Sequence, residues 1–231
     1  MYPSFSPLGD NALTVYFGDK IEDAIHQKVM GLFYYLMENK PAYIKDVIPA
    51  YASLTVVYDV MLVKKNTPGS AYNFITKHLE QAMLNTDEVN ALDEIIITIP
   101  VCYDPVVGTD LQAMSAALQI PVDEIIKIHA ATVYKVYMIG FLPGFAYMGS
   151  VNESIATPRK NVPSNIAAGS VGIAGNQTGI YPLNSPGGWN IVGQTPFKMF
   201  DATKEPSCLL QPGNRVQFQP ISFKEFKAMQ A

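Results

Sequence analysis

The chain has 231 residues, of which 48% are hydrophobic and 16% charged, and its formal net charge is -4. This length suffices for one large domain or two small ones, while a mildly acidic chain disfavours nucleic-acid binding. Two cysteines without a Cys-x-x-Cys spacing exclude a disulfide framework and a cysteine zinc site. Neither a signal-peptide pattern nor a membrane-length apolar run occurs, so we expect a soluble, cytoplasmic protein.

Strand and helix patterns alternate in the N-terminal part of the chain. The predicted elements are a strand at 12–17, a helix starting near Ile21, strands at 43–50 and 53–60 that pair as a hairpin, a helix capped by Ser70, and a buried strand at 94–101. This β-α-β-β-α-β order is typical of the split pattern of ferredoxin-like folds. We therefore predict an α+β N-terminal domain over residues 1–95.

The remaining residues, 96–231, have a different pattern. Two short helices are predicted at 110–118 and 122–131, the second with Pro121 at its start. Mostly short β-type runs follow, at 132–139, 169–175, 189–193 and 215–220. Glycine and proline lie at each junction, and many short strands with such turns favour a closed or nearly closed β-barrel.

Several common catalytic motifs are missing. The stretch from Gly175 to Pro196 is rich in glycine, yet it contains no lysine, and its prolines exclude the helix that a phosphate-binding loop requires. Ser170 lies in a β-type run and not at a strand-to-helix turn, which favours a structural role. Cys102 and Cys208 are predicted to have packing roles. No metal is predicted, because no cluster of His, Asp and Glu has ligand spacing.

His129 is the candidate catalytic residue. It lies near the end of the predicted helix 122–131, on the face that also carries Ile125 and Ile126. One interpretation is a partly buried histidine stabilised by the helix dipole. The other is a general acid or base that titrates near neutral pH.

A binding pocket is predicted between Gly140 and Phe197, where the only charged residues are Glu153, Arg159 and Lys160. Pockets are mostly apolar with a few convergent polar groups, and the planar guanidinium of Arg159 suits a carboxylate or phosphate. The candidate binding residues are Arg159, Gln177, Thr178, Tyr181, Ser185, Phe145 and Trp189. The alternative is that the glycines and prolines only shape barrel corners and the aromatic side chains only fill the core.

Three blocks, "GFLPGFAYMG", "TPRKNVPS" and "AGSVGIAGNQTGIYPLNSPGGWNIVGQTP", resemble the allophanate hydrolase subunit 1 / KipI family. Further blocks support this resemblance, namely "PLGDNALTVYFGD", "IPAYASLTVVYD", "IPVCYD" and "GTDL". The family includes the B subunit of 5-oxoprolinase, and the ordered matches extend along most of the chain.

The resemblance implies an α+β domain followed by a cyclophilin-like β-barrel. It also implies the B subunit of an ATP-dependent 5-oxoprolinase, a heteromeric complex that cleaves 5-oxo-L-proline to L-glutamate with the help of A-type and C-type partner subunits. ATP would be a co-substrate of the complex, and the chain would not be active alone. Two alternatives remain open: a KipI-like inhibitor of a sensor histidine kinase, and a component of a biotin-dependent urea carboxylase or allophanate pathway.

Overall fold

A computed structural model describes residues 3–86 and 96–230 of the chain. The chain divides into two compact units, Met1–Asp93 and Glu94–Ala231. Each unit has its own hydrophobic core, and each is considered separately below.

Within residues 3–86, the first unit contains a four-stranded antiparallel sheet and three helices. Its elements are β1 (Ser4–Pro7), β2 (Ala12–Tyr16), α1 (Asp23–Glu38), β3 (Ile44–Pro49), β4 (Ser53–Tyr58), α2 (Val60–Asn66) and α3 (Ala71–Leu84). The strand order is β1-β2-β4-β3, with all neighbours antiparallel. The predicted hairpin is therefore confirmed as β3 and β4.

Capping side chains determine where two of these helices begin. The Ser70 hydroxyl accepts a hydrogen bond from the Asn73 N–H, which confirms it as the cap of α3. The Asp59 carboxylate accepts from the Leu62 N–H at 3.0 Å and starts α2. The predicted strand 53–60 was wrong at its end, because Asp59 stops β4 at Tyr58 and turns the chain into a helix.

The second unit is a closed seven-stranded barrel, so the predicted β-barrel is confirmed. Its strands follow the order β10-β7-β6-β13-β5-β12-β9, and β8 and β11 form a separate two-stranded sheet. The elements in chain order are β5 (Ile96–Cys102), α4 (Leu111–Leu118), α5 (Val122–Ala131), β6 (Val133–Ile139), β7 (Ala146–Gly149), a 3-10 turn (Glu153–Ile155), β8 (Ser164–Ile166), β9 (Ser170–Ala174), β10 (Gln177–Ile180), β11 (Ser185–Gly187), β12 (Asn190–Gln194), β13 (Arg215–Ile221) and α6 (Phe223–Gln230).

The strand predicted at 94–101 belongs to the barrel, where β5 pairs in parallel with β13 and antiparallel with β12. Its residues Ile99 and Val101 are fully buried among the barrel side chains. The ferredoxin-like pattern, which needed this strand as its last member, is therefore not confirmed. An apolar run identifies a buried strand but not the sheet that it joins. Residues 94 and 95 lie outside the described residues.

The barrel wall has a hydrophobic cluster on each side. The inner core is shared by the strands with α4 and α5, and Ile180 of β10 belongs to it. On the other side lies what we call the outer aromatic cluster, formed by Phe145, Ile166, Tyr181, Trp189 and Ile191. Because side chains alternate along extended chain, Ile180 at the end of β10 lies in the inner core, whereas Tyr181, which directly follows the strand, lies in the outer aromatic cluster.

Candidate functional site

Arg159 lies on an exposed segment that packs closely against the start of β12. A Cβ atom added to Gly188 would lie 3.0 Å from Arg159 Nε and 3.2 Å from the Lys160 carbonyl oxygen. The Lys160 N–H also donates to the Gly188 carbonyl at 2.7 Å. A side chain at this position would therefore press on Arg159, which would have to shift by a few tenths of an ångström.

The guanidinium of Arg159 acts on two tyrosines beside the outer aromatic cluster. Burial raises the pKa of Tyr147 and of Tyr181, and the positive charge of Arg159 opposes that rise in both cases. The Tyr181 hydroxyl additionally accepts a hydrogen bond from the Trp189 backbone N–H. A cation thus lies near two phenol groups at the edge of an aromatic surface.

Perpendicular ring contacts fix this aromatic surface. The Phe145 ring lies 5.1 Å from the Tyr181 ring and 5.3 Å from Trp189, with interplanar angles of 85° and 87°. Such edge-to-face pairs stabilise aromatic clusters beyond the area that they bury. Phe145 and Tyr181 are each 1% exposed and Trp189 is 7% exposed, whereas Arg159 is exposed and Tyr147 half-buried. A ligand would therefore meet Arg159 and Tyr147 first, with the other rings beneath them.

Two other predicted residues lie away from Tyr181, Gln177 in the barrel wall and Ser185 in the separate two-stranded sheet. Gln177 begins β10 and pairs with Gly149 and Ala174, at the opposite end of that strand from Tyr181. Four residues of extended chain span about 13 Å, so Gln177 is separated from Tyr181 by that distance. Ser185 begins β11, and its buried hydroxyl oxygen has no hydrogen-bond partner among the residues described.

His129 and Thr178 lie in the inner core, on the other side of the wall from Tyr181. The His129 Nδ1 atom lies 2.8 Å from the Tyr103 hydroxyl, and its Nε2 atom lies 3.0 Å from Thr178 Oγ1. The single hydroxyl proton of Thr178 is donated to the Gly172 carbonyl at 3.0 Å. Consequently His129 Nε2–H donates to Thr178, and Nδ1 accepts from Tyr103.

Burial keeps the imidazole of His129 neutral. His129 is completely buried, and burial lowers its pKa to about 3. Its ring stacks on Phe218 at 4.7 Å. The residues predicted for the pocket are thus divided by the barrel wall: Arg159, Tyr181, Phe145 and Trp189 come together, while Thr178 lies on the inner side beside His129, the candidate catalytic residue.

The sequence prediction missed Tyr147 as a site residue. Strand alternation could have found it, because Phe145 and Tyr147 lie on one face while Ala146 and Met148 lie on the inner one.

The described ranges contain neither a metal-binding cluster nor a membrane-spanning helix. Within residues 3–86 and 96–230, no group of three or more His, Cys, Asp or Glu is placed to hold a metal ion. In the same ranges, every helix is too short or too polar to cross a bilayer.

Residues 3–210 match the carboxyltransferase domain family, subdomain C and D, and the chain belongs to this family. The 5-oxoprolinase B subunit of Bacillus subtilis (strain 168) is 39% identical over 226 residues, covering 96% of this chain and 94% of the relative. The family resemblance seen in the sequence is thereby confirmed.

Two solved structures share this fold and more than a quarter of its sequence. PH0987 from Pyrococcus horikoshii is 39% identical with a TM-score of 0.57, over 96% of this chain and 100% of that one. TTHA0988 is 30% identical with a TM-score of 0.79, over 91% of this chain. This chain spans 40% of the length of TTHA0988.

Proposed function

We propose that this chain is the B subunit of a 5-oxoprolinase, a complex that opens 5-oxo-L-proline to L-glutamate while ATP is hydrolysed. The observation that carries the proposal is the 39% identity to a 5-oxoprolinase B subunit over nearly the full length of both proteins. The geometry around Arg159 supports it, because that geometry suits the substrate.

The substrate is a small five-membered lactam that carries one carboxylate. Arg159 offers a planar pair of N–H donors that matches a carboxylate, and its positive charge acts on the Tyr147 phenol. Trp189, Phe145 and Tyr181 form the apolar support beneath. In this proposal Arg159 binds the carboxylate and the lactam ring rests against Tyr147, with Gln177 and Ser185 completing the outer part of the site.

The chemistry is shared with partner subunits in this proposal. Opening the lactam adds one water across the amide bond, and ATP hydrolysis drives the step. We assign ATP to the complex and not to this chain alone, because residues 175–196 lack the lysine and the helix of a phosphate loop. The partners are the A-type and C-type subunits of a 5-oxoprolinase. His129, enclosed and neutral, is proposed to act through the fold and not by contact with the lactam.

Arg159→Ala and Arg159→Lys test the substrate-binding role in the assembled complex. A bidentate contact to a carboxylate contributes about 1.5–3 kcal/mol, so Arg159→Ala should raise KM for 5-oxo-L-proline by roughly tenfold or more. Arg159→Lys should recover part of this loss, since lysine keeps the charge without the fork. Lys198→Met, which removes the Lys198–Asp201 ion pair, is the matched control. An unchanged KM in Arg159→Ala would contradict the assignment.

A further inference from the structure

The Asp110 side chain does not cap the helix that follows it. Asp110 immediately precedes α4 at a position where aspartate commonly accepts a hydrogen bond from the first helical turn, yet it makes no such bond. Its Oδ2 atom instead accepts from the Ile191 N–H at 2.6 Å and from Lys160 Nζ at 2.8 Å. The carboxylate therefore connects the start of α4 to β12 and to the segment that carries Arg159.

Backbone contacts hold Asp110 in place for this task. The Asp110 N–H donates to the Ile191 carbonyl at 2.9 Å, so the two residues exchange a pair of hydrogen bonds. A Cβ atom added to Gly108 would lie 2.5 Å from the Val192 carbonyl oxygen. The "GTD" turn therefore depends on glycine to approach β12 this closely.

The residues on both sides of Arg159 are fixed by these groups. Lys160 is held through its ammonium by Asp110 and through its N–H by the Gly188 carbonyl. The Asn190 amide donates to the Pro158 carbonyl at 2.9 Å. The Lys160 and Asp110 side chains are only 26% and 21% exposed, so solvent and salt screen their attraction less than that of a surface pair.

We propose that Asp110 is a positioning residue for Arg159. Its carboxylate holds Lys160 against β12, and this contact determines where the neighbouring guanidinium lies relative to Tyr147 and Trp189. The consequence for substrate binding rests on the proposed function, whereas the consequence for the position of the segment does not.

The first test is independent of activity and uses Trp189, the only tryptophan of the chain. Trp189 directly follows Gly188, over which Arg159 packs, and is 7% exposed. Asp110→Asn and Lys160→Met should release the segment that carries Arg159. Acrylamide should then quench the fluorescence of Trp189 more strongly than in wild type. The control Lys198→Met removes another Lys–Asp pair of the same unit and should leave quenching unchanged. Equal quenching in all four proteins would overturn the proposal.

The second test uses the assembled complex and a double-mutant comparison. Because a charged hydrogen bond is lost, Asp110→Asn should raise KM for 5-oxo-L-proline about tenfold with little change in kcat. In the Arg159→Ala background the same change should have no further effect on KM, since the residue through which Asp110 acts is gone. A further rise of similar size in that background would overturn the proposal. Should the wild-type complex release no glutamate, the proposed function fails, and the quenching result still decides the role of Asp110.

Lys160→Arg provides a conservative replacement for cases in which the other variants fold poorly. Arginine keeps the charge that Asp110 binds, so both quenching and KM should stay closer to wild type than in Lys160→Met. A Lys160→Arg protein as impaired as Lys160→Met, with the same far-ultraviolet circular dichroism spectrum as wild type, would count against the ion pair as the positioning contact.

Discussion

Replacing His129 with glutamine should make the barrel unit less sensitive to acid. The pKa of His129 is lowered by burial from its ordinary value of 6.5 to about 3, so between these values the unfolded chain binds a proton that the folded chain does not. The free energy of unfolding is unaffected by the protonation of His129 above pH 6.5, and below that value it decreases as the pH falls, because only the unfolded chain binds the proton. At about pH 5, roughly 1.5 units below 6.5, the loss attributable to His129 is about 2 kcal/mol.

The assay is urea unfolding followed by Trp189 fluorescence at about pH 7.5 and about pH 5. His129→Gln lowers stability at both values because the fit to Tyr103 and Thr178 changes. Its further loss between the two pH values should nevertheless be about 2 kcal/mol smaller than that of wild type. His78, whose pKa is also lowered by burial, is present in both proteins and cancels. Equal pH dependence in the two proteins would refute the reasoning.

Two further substitutions test the two sides of the barrel wall. Gly188→Ala should raise KM for 5-oxo-L-proline in the complex, because the new Cβ would lie 3.0 Å from Arg159 Nε; an unchanged KM would show that the segment adapts freely. Thr178→Val removes the acceptor of His129 Nε2–H inside the core, so urea unfolding should show a loss of about 1–3 kcal/mol. A loss well below that range would show that the buried imidazole finds another partner.

Local patterns predicted the elements better than they predicted how the elements associate. Helix α5 begins and ends where its apolar spacing placed it, and the Ser70 cap was correct, because both depend on neighbours along the chain. Strand β5 was recognised as buried, yet its partner β13 lies more than a hundred residues away in sequence. Pairing over such a separation leaves no local signal.

For the candidate site too, the sequence predicted the kind of residues present better than it predicted which of them come together. Composition predicted an uncharged, aromatic region around Arg159, and the structure brings Phe145, Tyr181 and Trp189 together beside it. Composition could not show that Thr178 belongs to the inner side of the wall, because that depends on the register of β10 against β7 and β9. A shift of one residue would exchange the two faces of the strand.

The positioning contact of Asp110 was likewise invisible in the sequence. An aspartate before an apolar helix indicates a cap, and nothing local reveals that Lys160 and Ile191 take its carboxylate instead. In the sequence the "GTDL" block indicates only a family resemblance, whereas in the structure its Gly108 and Asp110 contact β12 and its Asp110 binds Lys160.

The most direct test of the proposed function is glutamate release from 5-oxo-L-proline by the chain reconstituted with its A-type and C-type partners. We expect release that requires ATP, all three proteins and Arg159, and none from the chain alone. Glutamate release at the same rate when this chain is omitted, or no release from the complete complex, would contradict the proposed function.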